Sequence, residues 1–233
     1  MSVFATLVEH LADLLQPLFG ASAAAAAIVL FTAAVRLLVH PLSRAAARGQ
    51  KARTALQPKI AELRRKHAKN PEKLRQAVLE LHTREKVSPL SGLLPALCQA
   101  PAFFLLYHLF SSSSIGGEAN GLLGHRLLDA PLGDRWTDAL TGDGVFGPAG
   151  LVYLGLFAVV TAVATFNYLR ARRVPLPETG TGQDVPGLGT VTKVMPFLSF
   201  FTLVTVAVVP LAAALYVMTS STWSAVERAV LYR

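Results

Sequence analysis

A cation, Arg36, stands inside an apolar run from Ala21 to Val39. A guanidinium away from water is costly, so an intramembrane arginine marks a function or a water-filled cavity by default. Position alone leaves a second reading open. Arg36 lies five residues before Pro41, near one end of the run, where a long side chain can snorkel to the interface. Its surroundings favour the first reading. None of the apolar runs of the chain contains an acidic residue. Thr32 sits one helical turn earlier on the same face. Gln99, Thr165, Asn167, Thr202, Thr205, Thr219 and Ser220 place polar groups in the other runs. Each alone is ordinarily a helix–helix hydrogen bond. With an arginine among them, they point to a wet, positively charged groove that receives an acidic or polar guest.

No catalytic constellation accompanies this set. The six histidines, His10, His40, His67, His82, His108 and His125, show neither HExxH nor His/Cys metal spacing. Cys98 is the one cysteine, so neither an internal disulfide nor a thiolate cluster can form. There is no GxSxG, phosphate loop or dinucleotide fingerprint. The sequence predicts no enzyme activity, metal or cofactor.

The elements that position the polar residues are apolar helices. Of 233 residues 52% are hydrophobic and 15% charged, well below the roughly 25% charged of globular chains. Several stretches of about 20 residues carry at most one charge, enough to span a bilayer. The uncharged run from Val194 to Val226 would make a single helix of about 50 Å, too long for one crossing. Pro210 near its middle divides it into two short spans. The predicted order is a span at 20–41, a second at 89–111, a third at 149–170, a fourth at 193–208 and a fifth at 211–226. Residues 1–19 form an amphipathic helix at the extracytoplasmic interface. A signal peptide is the rival there, but Glu9 and Asp13 occupy its apolar core and no basic segment precedes it.

Charge orients the chain. Residues 42–88 carry 13 Lys/Arg and 4 Asp/Glu, a local +9 against +8 for the whole chain. This segment is predicted to be cytoplasmic. The loop at 112–148 is acidic on balance and expected outside, the Pro/Gly-rich loop at 171–192 inside. The tail at 227–233 is then inside and the N-terminus outside. Within 42–88, Leu56, Ile60 and Leu63, then Leu74, Val78 and Leu81, recur at helical spacing on either side of Asn70-Pro71. A hairpin of two basic helices follows, with Pro58 kinking the first. Arg64, Arg65, Lys66, Lys73 and Arg75 are its candidate contact residues. Anionic lipid headgroups explain this charge most simply, at about 1 kcal/mol per cation. Ribosomal RNA or a translocase partner are the alternatives, and no DNA partner is expected.

Three stretches, TAAVRLLVHPL, LQPKI and KVSPLSGLLPALCQAPAFFLLY, resemble the core of the YidC/Oxa/Alb membrane protein insertases. Arg36 matches that family's groove arginine and Thr32 the polar residue a turn before it. Pro41-Leu42 closes the first core span, and Gln99-Ala-Pro101 matches a Gln-x-Pro in the second. Met195-Pro196 and the segment Pro210–Tyr216 resemble the last two spans. The likeness extends from about residue 20 to 228 and keeps the motif order. It implies an all-α polytopic membrane protein of the bacterial cytoplasmic membrane. Five transmembrane helices would surround a hydrophilic groove, with a cytoplasmic helical hairpin and an N-terminal interfacial helix. It also implies insertion of newly made membrane proteins, alone or with the Sec translocase, by a chain functional as a monomer. Arg36 would accept acidic segments, Thr32, Gln99, Asn167, Thr202 and Ser220 would line the groove, and Tyr216 would touch the guest. Val217 departs from the second aromatic found after that tyrosine in many members. Only ten residues follow Trp223, too few for the long basic ribosome-binding tail of some members, and no large extracytoplasmic domain or lipobox cysteine precedes the first span. The expectation is a minimal insertase. The rivals are a small anion transporter or channel and a membrane assembly scaffold. A transporter would show a repeat or paired broken spans, and 20–110 does not resemble 149–226.

Overall fold

The computed structural model describes residues 2–87, 94–115, 117–142, 144–173 and 195–231. The expected cytoplasmic loop falls almost wholly outside these residues, as does the start of the second expected span. The described chain is predominantly helical. Its helices are α1 (Ser2–Phe19), α2 (Ala23–Lys66), α3 (Pro71–Arg84), α4 (Leu94–Ser111), α5 (Trp136–Thr141), α6 (Pro148–Arg173), α7 (Phe201–Val208) and α8 (Leu211–Leu231). Two stretches are long and apolar enough to cross a membrane, Val3–Lys66 and Pro148–Arg172. Phe197–Val208 is a shorter apolar helix.

α1 folds back on α2 through Gly20, whose φ of +52° suits a residue without a Cβ. Val8 and Ala12 are buried against Ala24, Ala25, Ala27 and Ile28, and Phe4 meets Phe31 edge-on at 6.5 Å. Small residues on this face let the two backbones approach, the usual basis of helix association in lipid. A second stripe, Val3, Leu7, Leu14 and Leu18, stays exposed.

α2 is longer than the expected first span: one 44-residue helix continues through Pro41 and Pro58. An interior proline loses a backbone hydrogen bond and crowds the preceding turn, at about 3 kcal/mol. Packing on both sides of Pro41 offsets this, since Ile28 and Thr32 before it and Ala46 and Ala47 after it are buried. The hairpin turn itself falls at Asn70-Pro71. The Asn70 side chain accepts from Lys73 N at 3.0 Å, and proline opens α3 where its missing N–H costs nothing. Leu56 and Ile60 are buried, and Lys59 Nζ reaches Glu85 Oε1 at 2.5 Å across the hairpin.

The segment 112–148 holds more than a loop. Ser114–Ile115 pairs antiparallel with Glu118–Ala119, and Arg126–Leu127 with Ala130–Pro131. Asn120 Nδ2 donates to Leu109 O at 2.8 Å and Ser112 O at 2.9 Å, which caps the end of α4. These two-residue ladders are local to the segment, and the described residues stay mostly helical, consistent with an all-α membrane protein.

α8 is the central helix and packs on α2, α4, α6 and α7. Leu211 through Ala214 are fully buried. The chain is extended at Val209 (φ −84°, ψ 159°), and α7 ends at Val208 because Pro210 cannot continue it.

Candidate functional site

The elements around α8 leave an open cleft of about 530 Å3. α2 contributes Arg36 and α4 contributes Phe103. α6 supplies Val160, Val163, Ala164 and Asn167, and the 3-10 turn Met195–Phe200 adds Leu198 and Ser199. Thr202 and Thr205 come from α7, and Val217, Ser220, Ser221, Ser224 and Arg228 from α8.

Arg36 is half-buried and held from α8. Its Nε donates to Ser220 Oγ at 3.1 Å and its Nη2 to Ser220 O at 3.1 Å, with a further short contact from Nη2 to Ser220 Oγ. These bonds fix the guanidinium at the cleft wall. Asn167 lines the same cleft from α6, and its Oδ1 is buried without a hydrogen bond among the described residues. A buried acceptor lacking a donor is unusual in a folded interior and raises the polarity of this wall.

Of the residues singled out in the sequence, Arg36, Asn167, Thr202, Thr205 and Ser220 meet at this cleft. Thr32 does not line it. It is fully buried, and its hydroxyl donates to Ile28 O at 2.7 Å within its own helix. Tyr216 is only 1% exposed, packed between Phe103 and Phe110 at 6.0 Å from each, and supports the wall from behind. Gln99 lies on α4, with its side chain outside the described part of the molecule. Arg65, Lys66, Lys73 and Arg75 are exposed on the hairpin and Arg64 is half-buried there. None of the five is among the cleft-lining residues.

Sequence reasoning missed several residues of the site. Ser224 and Arg228 continue the face of Ser220 at i+4 and i+8, a polar stripe visible in the sequence at helical spacing. Ser199 and Ser221 had no comparable signal. A pair beside the cleft was also unforeseen: His40 Nδ1 lies 2.6 Å from Glu227 Oε1, joining α2 to α8.

Away from the cleft-lining residues, backbone bonds tie the start of α8 to the 112–148 segment. Leu211 N donates to Asp134 O at 2.8 Å, and Ala212 N to Leu132 O at 2.9 Å. These are the first N–H groups of α8, which have no intrahelical acceptor. Tyr153 OH donates to the same Asp134 carbonyl at 2.6 Å, fastening α6 to the same segment. The described residues contain no cluster of His, Cys, Asp or Glu able to hold a metal ion.

Comparison with known proteins places this arrangement. The family model described as 60Kd inner membrane protein matches residues 14–233. The membrane protein insertase YidC of Magnetococcus marinus is 44% identical over 81 residues, 35% of this chain and 15% of that protein. YidC of Clostridium perfringens is 42% identical over 84 residues, 36% of this chain and 35% of its own. YidC of Prosthecochloris aestuarii is 30% identical over 152 residues, 65% of this chain and 24% of its own. The matched part thus spans about a third or less of these relatives. The chain belongs to the 60Kd inner membrane protein family, that of the YidC/Oxa/Alb membrane protein insertases.

Proposed function

We propose that the chain inserts newly made integral membrane proteins and helps them fold, as a bacterial cytoplasmic membrane protein without enzymatic chemistry. The observation that carries this reading is the half-buried Arg36, fixed by Ser220 at the wall of an open cleft whose lining residues are mostly polar. A polar or acidic segment of the client enters the open side, where the guanidinium offsets part of its desolvation. The client's apolar span then leaves along exposed helix faces into lipid. In this reading α2, α4, α6, α7 and α8 provide five spans, with the N-terminus outside and the C-terminus inside. The basic hairpin rests on anionic headgroups and meets partners such as the Sec translocase or a ribosome. One copy suffices, because the cleft is walled by a single chain. The shortness of α7 fits a locally thinned bilayer, which lowers the barrier to crossing.

The test is insertion of a small client with an acidic extracellular tail into proteoliposomes containing wild type, Arg36→Ala or Arg36→Lys. The expected result is a loss of about tenfold or more with alanine, equivalent to roughly 1.4 kcal/mol, and partial rescue by lysine. Equal insertion by all three proteins would refute a charge-driven cleft.

A further inference from the structure

The cleft contains a second arginine that the Arg36-centred account does not use. Arg228 lines the same cavity from the last two turns of α8, eight residues beyond Ser220. An arginine near a helix end ordinarily serves the helix dipole or snorkels to headgroups. The geometry of this one differs. Its Nε donates to Ser224 O at 3.2 Å, so the side chain folds back along the cleft face toward Ser220. The adjacent acid is turned elsewhere: Glu227 pairs with His40 on α2. The end of α8 thus sorts its charges, the acid toward α2 and the base toward the cleft.

Arg36 and Arg228 place two guanidinium groups in the lining of one cavity. A guest with two negative charges meets one guanidinium with each. The spacing follows from helix geometry. Eight residues of helix rise about 12 Å, and the folded-back side chain shortens this to between about 6 and 12 Å. An extended peptide covers that distance in about two to four residues.

We propose that Arg228 is a second cationic station of the cleft, and that with Arg36 it selects acidic peptide segments whose two carboxylates lie about two to four residues apart. This rests on the insertase reading for its choice of ligand, a client segment. Binding is therefore measured apart from insertion. The full chain in nanodiscs of zwitterionic lipid is titrated with labelled peptides of equal length: neutral, one glutamate, two glutamates three residues apart, and two glutamates ten residues apart. Wild type should bind the close pair about tenfold tighter than the single glutamate, the scale of one added charge-assisted hydrogen bond. The distant pair should gain little. Arg228→Ala should bring close pair and single to the same affinity, and Arg228→Lys should keep most of the difference.

A close pair no tighter than the single in wild type would overturn the proposal. So would an advantage that survives Arg228→Ala, or a variant that weakens all four peptides alike. A variant that altered only the retention of anionic lipid would overturn it too, and would make Arg228 a headgroup contact. Failure of the insertase reading looks different: the peptide ranking persists while wild type inserts no client.

Discussion

The two halves of α8 share one helix and almost nothing else. From Leu211 to Tyr216 every side chain is buried, and the first two N–H groups are bonded into the 112–148 segment. From Ser220 to Arg228 the same helix presents hydroxyls and a guanidinium to an open cleft. The first half is built of alanine and leucine, whose small or regular shapes let four neighbouring helices close around it. The second half carries groups that need partners or water. The contrast shows how one central helix can pack tightly along one half and line an open cleft along the other.

A carboxylate placed at each end should separate the two regions most strongly. Ala213 is fully buried, so Ala213→Asp puts a charge where neither water nor a cation can reach it. The expected cost is about 3 kcal/mol or more, seen as poor yield or a large drop in thermal stability in detergent. Ser221→Asp adds the same group at the half-buried cleft wall. That variant should fold and melt near wild type, but its carboxylate should compete for Arg36 and reduce insertion of acidic clients several-fold. Equal melting temperatures for the two variants would abolish the distinction between a dry and a wet end.

These two regions were not equally legible. The closed end rests on proline chemistry and small residues, and the break at Val209-Pro210 stands where those rules put it. The anchoring of the start of α8 was not foreseeable. It is made by backbone groups of Leu132 and Asp134, and backbone bonds leave no trace in residue type. At the open end, Arg36, Asn167, Thr202 and Ser220 stood out because a polar residue in an apolar run is conspicuous. Arg228 did not, since a basic residue beyond the last span reads as a topology signal. Thr32 stood out for the same reason and Tyr216 only through the family resemblance, yet both face packed helix rather than the cavity. Polarity reveals that a residue is special, whereas its rotation about the helix axis is decided by packing. Continuity of α2 through Pro41 was hidden likewise, because local propensity was outweighed by contacts from distant segments.

A smaller effect probes how rigid the closed end is. A Cβ at Gly150, in the first turn of α6, would run into the carbonyl oxygens of Gly144 and Val145. Those oxygens belong to the backbone, so they cannot swing away as a flexible side chain would. Gly150→Ala should lower stability by about 1–3 kcal/mol. Its insertion activity at a temperature where it is folded should match wild type. A loss of activity without a loss of stability would instead tie the turn before α6 to the wet cleft.

The least effect is expected far from both ends, on the basic hairpin. Lys59 and Glu85 are partly exposed and their pairing is screened by solvent. The hydrogen bond from Lys59, and then its charge, hold the Glu85 carboxyl below its ordinary value of 4.5. A carboxylate whose pKa falls on folding contributes stability above its unfolded value and loses it as pH drops through the folded one. The contribution is therefore complete at neutral pH and fades only below about pH 4.5. Glu85→Gln should shift the melting temperature slightly at pH 7, and the difference from wild type should shrink on acidification. Insertion at pH 7 should not change, because the pair closes the hairpin without touching the cleft. A difference that widened in acid would reverse the sign and exclude this pair as its source. A loss of insertion at neutral pH would show that the hairpin's posture, and not only its charge, governs the open end of the groove.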